Sequence, residues 1–270
     1  MTNTEISASL VKELRDATGA PMMDCKRALQ ETNGDVEEAR RLLRERGMAS
    51  AAKRAGRATT EGLVQTRIDG AVGVIVGVGC ETEPVSKNDE FRAFVQKVTD
   101  AVGADGVEAA AGLDPERQEL AGRLGENIAV VGAARYETSD GQVLADYVHP
   151  PAHKIGVLVE LEGGSPELAR QLAMHISFAA PEWTVREDVP AEAIEAERQV
   201  YLNSTELESK PEAAREKIVD GMLAKRFFAA SPGGVLVEQT WIHDAARTVG
   251  QALEEAGARV TGFTRISVAG

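Results

Sequence analysis

Two segments far apart in the chain carry one pattern, and their recurrence restricts the fold more than any other feature. Residues 72–78, Val-Gly-Val-Ile-Val-Gly-Val, alternate small and β-branched side chains, the pattern of a strand whose glycines let another backbone come close. Residues 154–161, Lys-Ile-Gly-Val-Leu-Val-Glu-Leu, repeat it. Each has a further strand before it, residues 64–70 and 143–148, and a helix after it. In the first copy Phe91, Phe94, Val95 and Val98 recur at three and four, the spacing of one buried helical face; in the second the helix covers residues 166–178. The expected class is α+β, with a core of two repeated α+β subdomains at residues 58–141 and 142–270. Between the copies, residues 114–131 supply a helix and the run Leu124-Gly125-Glu126-Asn127-Ile128, and residues 248–253 and 260–268 read as a closing helix and strand.

Ahead of this core, residues 5–47 read as three short helices. Ile6, Leu10, Val11 and Leu14 stripe the first; Met22, Cys25, Ala28 and Leu29 the second; Val36, Ala39, Leu42 and Leu43 the third, which Gly47 closes. Residues 48–60, rich in Ala, Lys, Arg and Gly, read as a basic helical tether or linker, so head and linker occupy residues 1–57. Neighbouring helical residues lie about 100° apart, so one of Met22 and Met23 is expected in the head's core and the other at the surface, where methionine is adaptable contact area. Within the second subdomain, residues 190–234 hold an inserted antiparallel coiled-coil hairpin, hinged at Ser209-Lys210-Pro211. Ile194, Tyr201, Leu202 and Leu207 face Ile218, Met222, Leu223 and Phe227 along arms of about 18 residues, a reach of about 27 Å. That stripe is either buried between the arms or open to a second copy or another protein.

Composition acts as a filter. A chain of 270 residues with 43% hydrophobic and 27% charged content is that of a folded protein, and no apolar run approaches the ~18 residues of a membrane span. The first five residues carry no leader pattern, so the protein is expected to remain in the cytoplasm. A net charge of −13 argues against wrapping a nucleic acid, which needs clustered cations. The charge is uneven: residues 1–57 hold 11 Lys and Arg against 9 Asp and Glu, a net of +2 on a body of −15. Cys25 and Cys80 stand far apart, which suits a reducing compartment and gives neither a zinc nor a disulfide framework.

Conventional chemistry finds little footing. No Gly-rich segment ends in the Lys-Ser or Lys-Thr of a phosphate loop. His149 and His153 are separated by Pro150-Pro151, which keeps them off a common helical face, so no metal or cofactor site is expected. Cys80 paired with His175 would make a cysteine nucleophile, set against a half-buried cysteine and a core histidine. The stretch Glu81-Thr82-Glu83-Pro84-Val85-Ser86-Lys87 lies between a strand and a helix that Asn88 can cap. It is either a plain polar connection or a contact surface presented by a rigid scaffold.

Several motifs in order resemble one family. Leu14-Arg15, Thr18-Gly19-Ala20-Pro21-Met22-Met23-Asp24-Cys25-Lys26-Arg27-Ala28-Leu29 and Asn33-Gly34-Asp35 are similar to the N-terminal signature of bacterial elongation factor Ts, with proline at 21 where glycine is usual. Cys80-Glu81-Thr82-Glu83-Pro84-Val85-Ser86-Lys87 is similar to its second signature, and Gly125-Glu126-Asn127-Ile128, Ala173-Met174-His175, Thr248-Val249-Gly250-Gln251 and Val260-Thr261-Gly262-Phe263 follow in the family's order. The resemblance implies a ubiquitin-associated-like head, a two-subdomain core and a coiled-coil insertion. It also implies a partner, elongation factor Tu, whose GDP-bound form is engaged and emptied by a factor that performs no bond chemistry. By position, Arg15, Met22 and Met23 on the head and Leu124, Gly125 and His175 on the core would touch that partner, while Thr82, Glu83, Pro84 and Val85 would enter near its magnesium site.

Two departures follow from the same resemblance. The family usually has Asp-Phe where this chain has Glu83-Pro84, which exchanges an aromatic wedge for a small rigid ring. The chain also stops soon after Phe263, so contacts of the C-terminal extension some relatives carry are expected to be missing. The hairpin is a candidate for dimerising the complex. The alternative function is a non-catalytic adaptor that binds other proteins through its helical head.

Overall fold

The computed structural model describes residues 6–208 and 210–268, so the leader reading at residues 1–5 and Ser209 of the expected hinge lie outside the described residues. Three helices open the chain, α1 (Ala8–Thr18), α2 (Met22–Glu31) and α3 (Val36–Arg54). Ser7 and Asp35 cap α1 and α3 by accepting the backbone N–H of Leu10 and Glu38, and Gly19 ends α1 at φ +67°, a left-handed turn that glycine makes without strain. Val11, Leu14, Cys25, Ala28, Leu29 and Ala39 form the head's core. Met22 does not join them. It is 53% exposed and Met23 61%, because the buried face of α2 begins at Cys25 and leaves the first turn outside.

The expected stop at Gly47 is also corrected: α3 runs on to Arg54 and buries Ala51 in the core of the first subdomain. Residues 48–54 are helical, as expected of the tether, but they continue α3 without a break and pack on the core. Glycine inside a helix costs about 1 kcal/mol against alanine, and a tertiary contact offsets it. Gly47 crosses Gly122 of α7 (Asp114–Leu124) so closely that a Cβ on Gly122 would stand 2.8 Å from the Gly47 backbone.

Two three-stranded antiparallel sheets follow. β1 (Glu61–Asp69), β2 (Val72–Cys80) and β3 (Ile128–Glu137) pair in the order β1-β2-β3; β4 (Gln142–Val148), β5 (Ile155–Glu162) and β6 (Arg259–Ser267) pair as β4-β5-β6. The helix expected within residues 114–131 is α7, which Gly125 ends at φ +76°, and residues 128–131 open β3. After β2 come the short α4 (Glu83–Ser86), then α5 (Asp89–Asp105), which covers the first sheet, and α6 (Ala109–Gly112). α8 (Pro166–Ala179) covers the second sheet.

Period-two alternation explains the glycines. Val74, Val76, Val78 and Cys80 of β2 face α5, whereas Gly73, Ile75 and Gly77 turn to the other sheet. In β5, Val157, Val159 and Leu161 face α8, while Gly156 and Leu158 turn back to the first sheet. What approaches these glycines is side chain rather than the expected backbone: an added Cβ would lie 3.0 Å from Leu158 at Gly73, 2.4 Å from Ile266 at Gly77 and 2.5 Å from Val64 at Gly156. Sheets stacked face to face sit about 10 Å apart, and side chains fill that gap. Both central strands also shift register at matching points, between Gly77 and Val78 and between Glu160 and Leu161. The layers run α5, first sheet, second sheet, α8.

The insertion comprises α9 (Ala191–Leu202) and α10 (Glu212–Met222), extended by a π-helical segment at Leu223–Phe228. The first arm is shorter than expected because Asn203 and a 3₁₀ turn at Thr205–Leu207 end it early, while the second continues through the π-helical segment to Phe228. Tyr201, Leu207, Val219, Met222, Leu223 and Phe228 are buried together with Val189 and Val235, so the apolar stripe is closed within the hairpin and its base. α11 (Val249–Glu255), started by a Thr248–Gln251 capping box, leads into β6.

The helix crossing makes an asymmetric prediction. Gly122→Ala should lower stability by about 1–3 kcal/mol because the new methyl group meets main chain. Gly47→Ala, whose Cβ would meet Gly122 at 3.6 Å, should be neutral or stabilising by up to about 1 kcal/mol. Urea midpoints at constant slope distinguish the two.

Candidate functional site

The segment between β2 and α5 is a fixed tip rather than a loose connection. Thr82 starts α4, and Pro84 sits in its first turn, where a missing N–H costs nothing. Lys87 Nζ pairs with Glu83 Oε1 at 2.7 Å on the same turn, which holds the Glu83 carboxyl below the usual range. Asn88 caps α5, its Oδ1 accepting the N–H of Glu90 (2.8 Å) and Phe91 (3.3 Å). Thr82, Glu83 and Pro84 are exposed; Val85 is half-buried against the first subdomain's core.

Behind the tip, Glu126 accepts the backbone N–H of Thr82 at 3.0 Å and of Glu81 at 3.1 Å. Glu81 in turn accepts the N–H of Asn127 at 2.6 Å. That bond, with help from Arg57, draws the Glu81 carboxyl below its ordinary range. Leu124 and Gly125 directly precede Glu126, Leu124 half-buried and Gly125 exposed, so residues 82–85 and 124–125 form one neighbourhood. On the head, Arg15, Met22 and Met23 are all exposed. The head meets the core beside α7: Arg123 bonds Glu90 at 2.7 Å and Glu119 at 3.0 Å, and its stem lies against Gly19. A cleft of about 570 Å³ between them is lined by Asp16, Arg40, Arg44, Glu90, Glu119 and Arg123.

His175 does not belong to this surface. It is fully buried in α8, and its Nδ1 accepts the N–H of Ile242 at 3.4 Å. Nε2 therefore carries the proton and donates to Gln239 Oε1 at 2.9 Å. The Gln239 amide donates to the carbonyls of Ala230 (2.8 Å), Ala179 (3.3 Å) and Gly233, and the His175 ring stacks on Trp241 at 5.3 Å. Burial pushes the histidine's pKa down and keeps it neutral. With no exposed surface, His175 serves to hold residues 239 and 242.

Nucleophilic chemistry at Cys80 is not supported. Burial, with the nearby Glu126 carboxylate, pushes its pKa up to about 12, leaving a protonated thiol at neutral pH. Cys80 lies in the core under α5 while His175 is a buried residue of α8 itself, with both ring nitrogens occupied. Among the described residues no group of three His, Cys, Asp or Glu side chains is placed to hold a metal ion, and no helix is long and apolar enough to cross a membrane.

Fold and tip together define a contact factor, a layered body that presents one exposed, braced turn. A family model described as "Elongation factor TS" matches residues 81–270. Relatives named elongation factor Ts from Citrobacter koseri, Escherichia coli O139:H28 and Shigella boydii serotype 18 are each 42% identical over 268 residues, covering 98% of this chain and 92% of theirs. The chain belongs to the elongation factor Ts family, the guanine-nucleotide exchange factors of translation. The sequence pointed to the tip and to Leu124 and Gly125, but not to the pairing of Glu81 with Glu126, because nothing in the spacing of 45 residues brings two like charges together.

Two measurements check this reading. Thiol labelling at pH 8 should reach Cys25 and Cys80 only through unfolding, since both are buried with raised pKa values. For His175, whose folded pKa is depressed, the unfolded chain binds the extra proton below about pH 6.5. Its contribution is therefore complete above that pH and is lost as the pH falls. Wild-type stability should drop between pH 7 and 5.5, and the drop should shrink in His175→Phe, although that variant is less stable at both pH values.

Proposed function

We propose that this protein releases GDP from elongation factor Tu by docking its head and core on the partner and inserting residues 82–85 near the magnesium and phosphate site, without making or breaking a covalent bond. The observation that carries the reading is the exposed turn Thr82-Glu83-Pro84, fixed on the body at one end by Glu126 and at the other by the Asn88 cap. Mg²⁺ tolerates little distortion of its octahedral shell, so a rigid intruder that shifts one ligand weakens metal and nucleotide together. Pro84 and Glu83 take the place of the family's usual aromatic and aspartate, so insertion relies on a preset turn more than on apolar area.

Arg15, Met22 and Met23 supply the head's contacts, their exposed methionines being soft surface that adapts to a partner. Leu124 and Gly125 add contacts beside the tip, and His175 contributes through the segment it supports. The working units are the head at residues 1–57 and the two core subdomains at residues 58–141 and 142–270, with the hairpin at 190–234. The hairpin's stripe is turned largely inward, and a dimer of the complex formed through it would draw on its half-buried residues Ile194, Leu202, Ile218 and Phe227. Two buried reduced cysteines agree with action in the cytoplasm. Both the GDP-bound and the nucleotide-free partner are bound, the latter more tightly.

Fluorescent GDP loaded on elongation factor Tu should leave faster when this protein is added, and GDP should weaken the complex by the same factor by which the complex weakens GDP. The double substitution Met22→Ala with Met23→Ala should weaken binding about tenfold without affecting stability. An unchanged GDP release rate with the wild-type protein would refute the exchange role.

A further inference from the structure

Two carboxylates cross behind the tip. Glu126, on the turn after α7, accepts the N–H of Glu81 (3.1 Å) and Thr82 (3.0 Å) on Oε2 and the Thr82 hydroxyl on Oε1. The Thr82 side chain makes no cap to α4, so its hydroxyl serves the brace alone. Glu81 reaches the opposite way: Oε1 accepts the N–H of Asn127 (2.6 Å) and Oε2 accepts from Arg57 Nη1 (3.3 Å). Asn127 then donates from Nδ2 to the carbonyls of Ala55 (3.3 Å) and Arg57 (2.7 Å) at the end of the α3 extension. Each carboxylate satisfies main chain of the segment that carries the other. Three strands of chain, residues 55–57, 81–82 and 126–127, are tied into one knot of charge-assisted bonds.

The exposed tip depends on that knot. Glu83 pairs only within its own turn, and Val85 and Ser86 anchor only the far end. The near end is held by three bonds to a single carboxylate and by the Cys80 thiol, which donates to the Thr82 carbonyl at 3.3 Å.

We propose that Glu126 is a positioning residue for nucleotide release. It need touch no group of the partner. It sets the angle at which residues 82–84 leave the body, so that docking of head and core delivers the tip already aimed and no binding energy is spent on ordering it. This role presupposes the exchange function above. Where the brace is cut, the tip is correctly aimed in only a fraction of docked complexes, and release at saturation slows by that fraction while docking itself is little altered.

The test uses the full chain, elongation factor Tu loaded with fluorescent GDP, and the variants Glu126→Ala and Glu126→Gln. Glu126→Ala should lower the saturated release rate roughly tenfold, with the half-saturating concentration held within about twofold. Glu126→Gln, which keeps one carbonyl acceptor, should recover part of the loss. Amide hydrogen exchange of the free proteins should rise at Glu81 and Thr82 in Glu126→Ala and stay unchanged in β2 and α5. A loosened tip with an undiminished release rate overturns the proposal, as does a loss seen only in the half-saturating concentration, or an unloosened tip. A wild-type protein that fails to speed release overturns the exchange function and this proposal with it, and the hydrogen-exchange comparison tells that outcome from a failed brace.

Discussion

The stacking of two glycine-notched sheets is the constraint from which the rest of the molecule follows. Gly73 and Gly77 on β2 and Gly156 on β5 leave hollows that Leu158, Ile266 and Val64 fill, and no larger residue fits there without moving its neighbours. Burial of these branched side chains, at roughly 25 cal/mol per Å² of apolar surface, fastens the two subdomains into one body. Because the glycine, the large apolar residue and the register shift fall at matching places in both central strands, the two halves meet as near-equivalent faces. With that interface fixed, α5 and α8 are carried to opposite outer faces.

The head is attached by similar means. A second pair of glycines, Gly47 and Gly122, brings α3 against α7, and the extension beyond Gly47 sinks Ala51 into the first subdomain. The same helix ends at residues 55–57, whose carbonyls and Arg57 side chain enter the polar knot behind Thr82. Packing of the head and placement of the tip are therefore links of one chain of contacts: glycine crossing, helix extension, Asn127, Glu81, Glu126. Surface ion pairs such as Arg44 with Glu119 add little beside this, since exposed pairs contribute about 0–1 kcal/mol.

The architecture was legible wherever periodicity spoke for burial. The repeated strand and helix, the hairpin's facing residues and the Asn88 cap were read from spacing and turn chemistry alone. Errors arose where a long-range contact overrode a local signal. Gly47 looks like a terminator until Gly122 is set against it, and the strand at residues 128–137 goes unread until β2 offers it a partner. Met22 shares the spacing of a core stripe but falls outside the core, a matter of where the helix begins rather than of its period. At the candidate site, the exposed turn was visible as an acid-proline stretch after a strand. The crossing of Glu81 and Glu126 was not, because two carboxylates serving each other's main chain leave no mark in composition, charge balance or spacing. His175 showed both faces of the problem: its helical neighbours marked it as buried, and its family position suggested contact.

The Gln239 amide ties the hairpin's base to the body in a way that bears on how the insertion could ever be removed. Two of its three carbonyl acceptors, at Ala230 and Gly233, belong to the returning arm, and only that of Ala179 lies on α8. A chain spliced across residues 190–234 would strand a buried donor and, through it, slacken the ring that shelters beside Trp241. The projecting element is thus no detachable ornament: its root is part of the wall of the second subdomain, and a shortened relative would have to rebuild that wall with other acceptors.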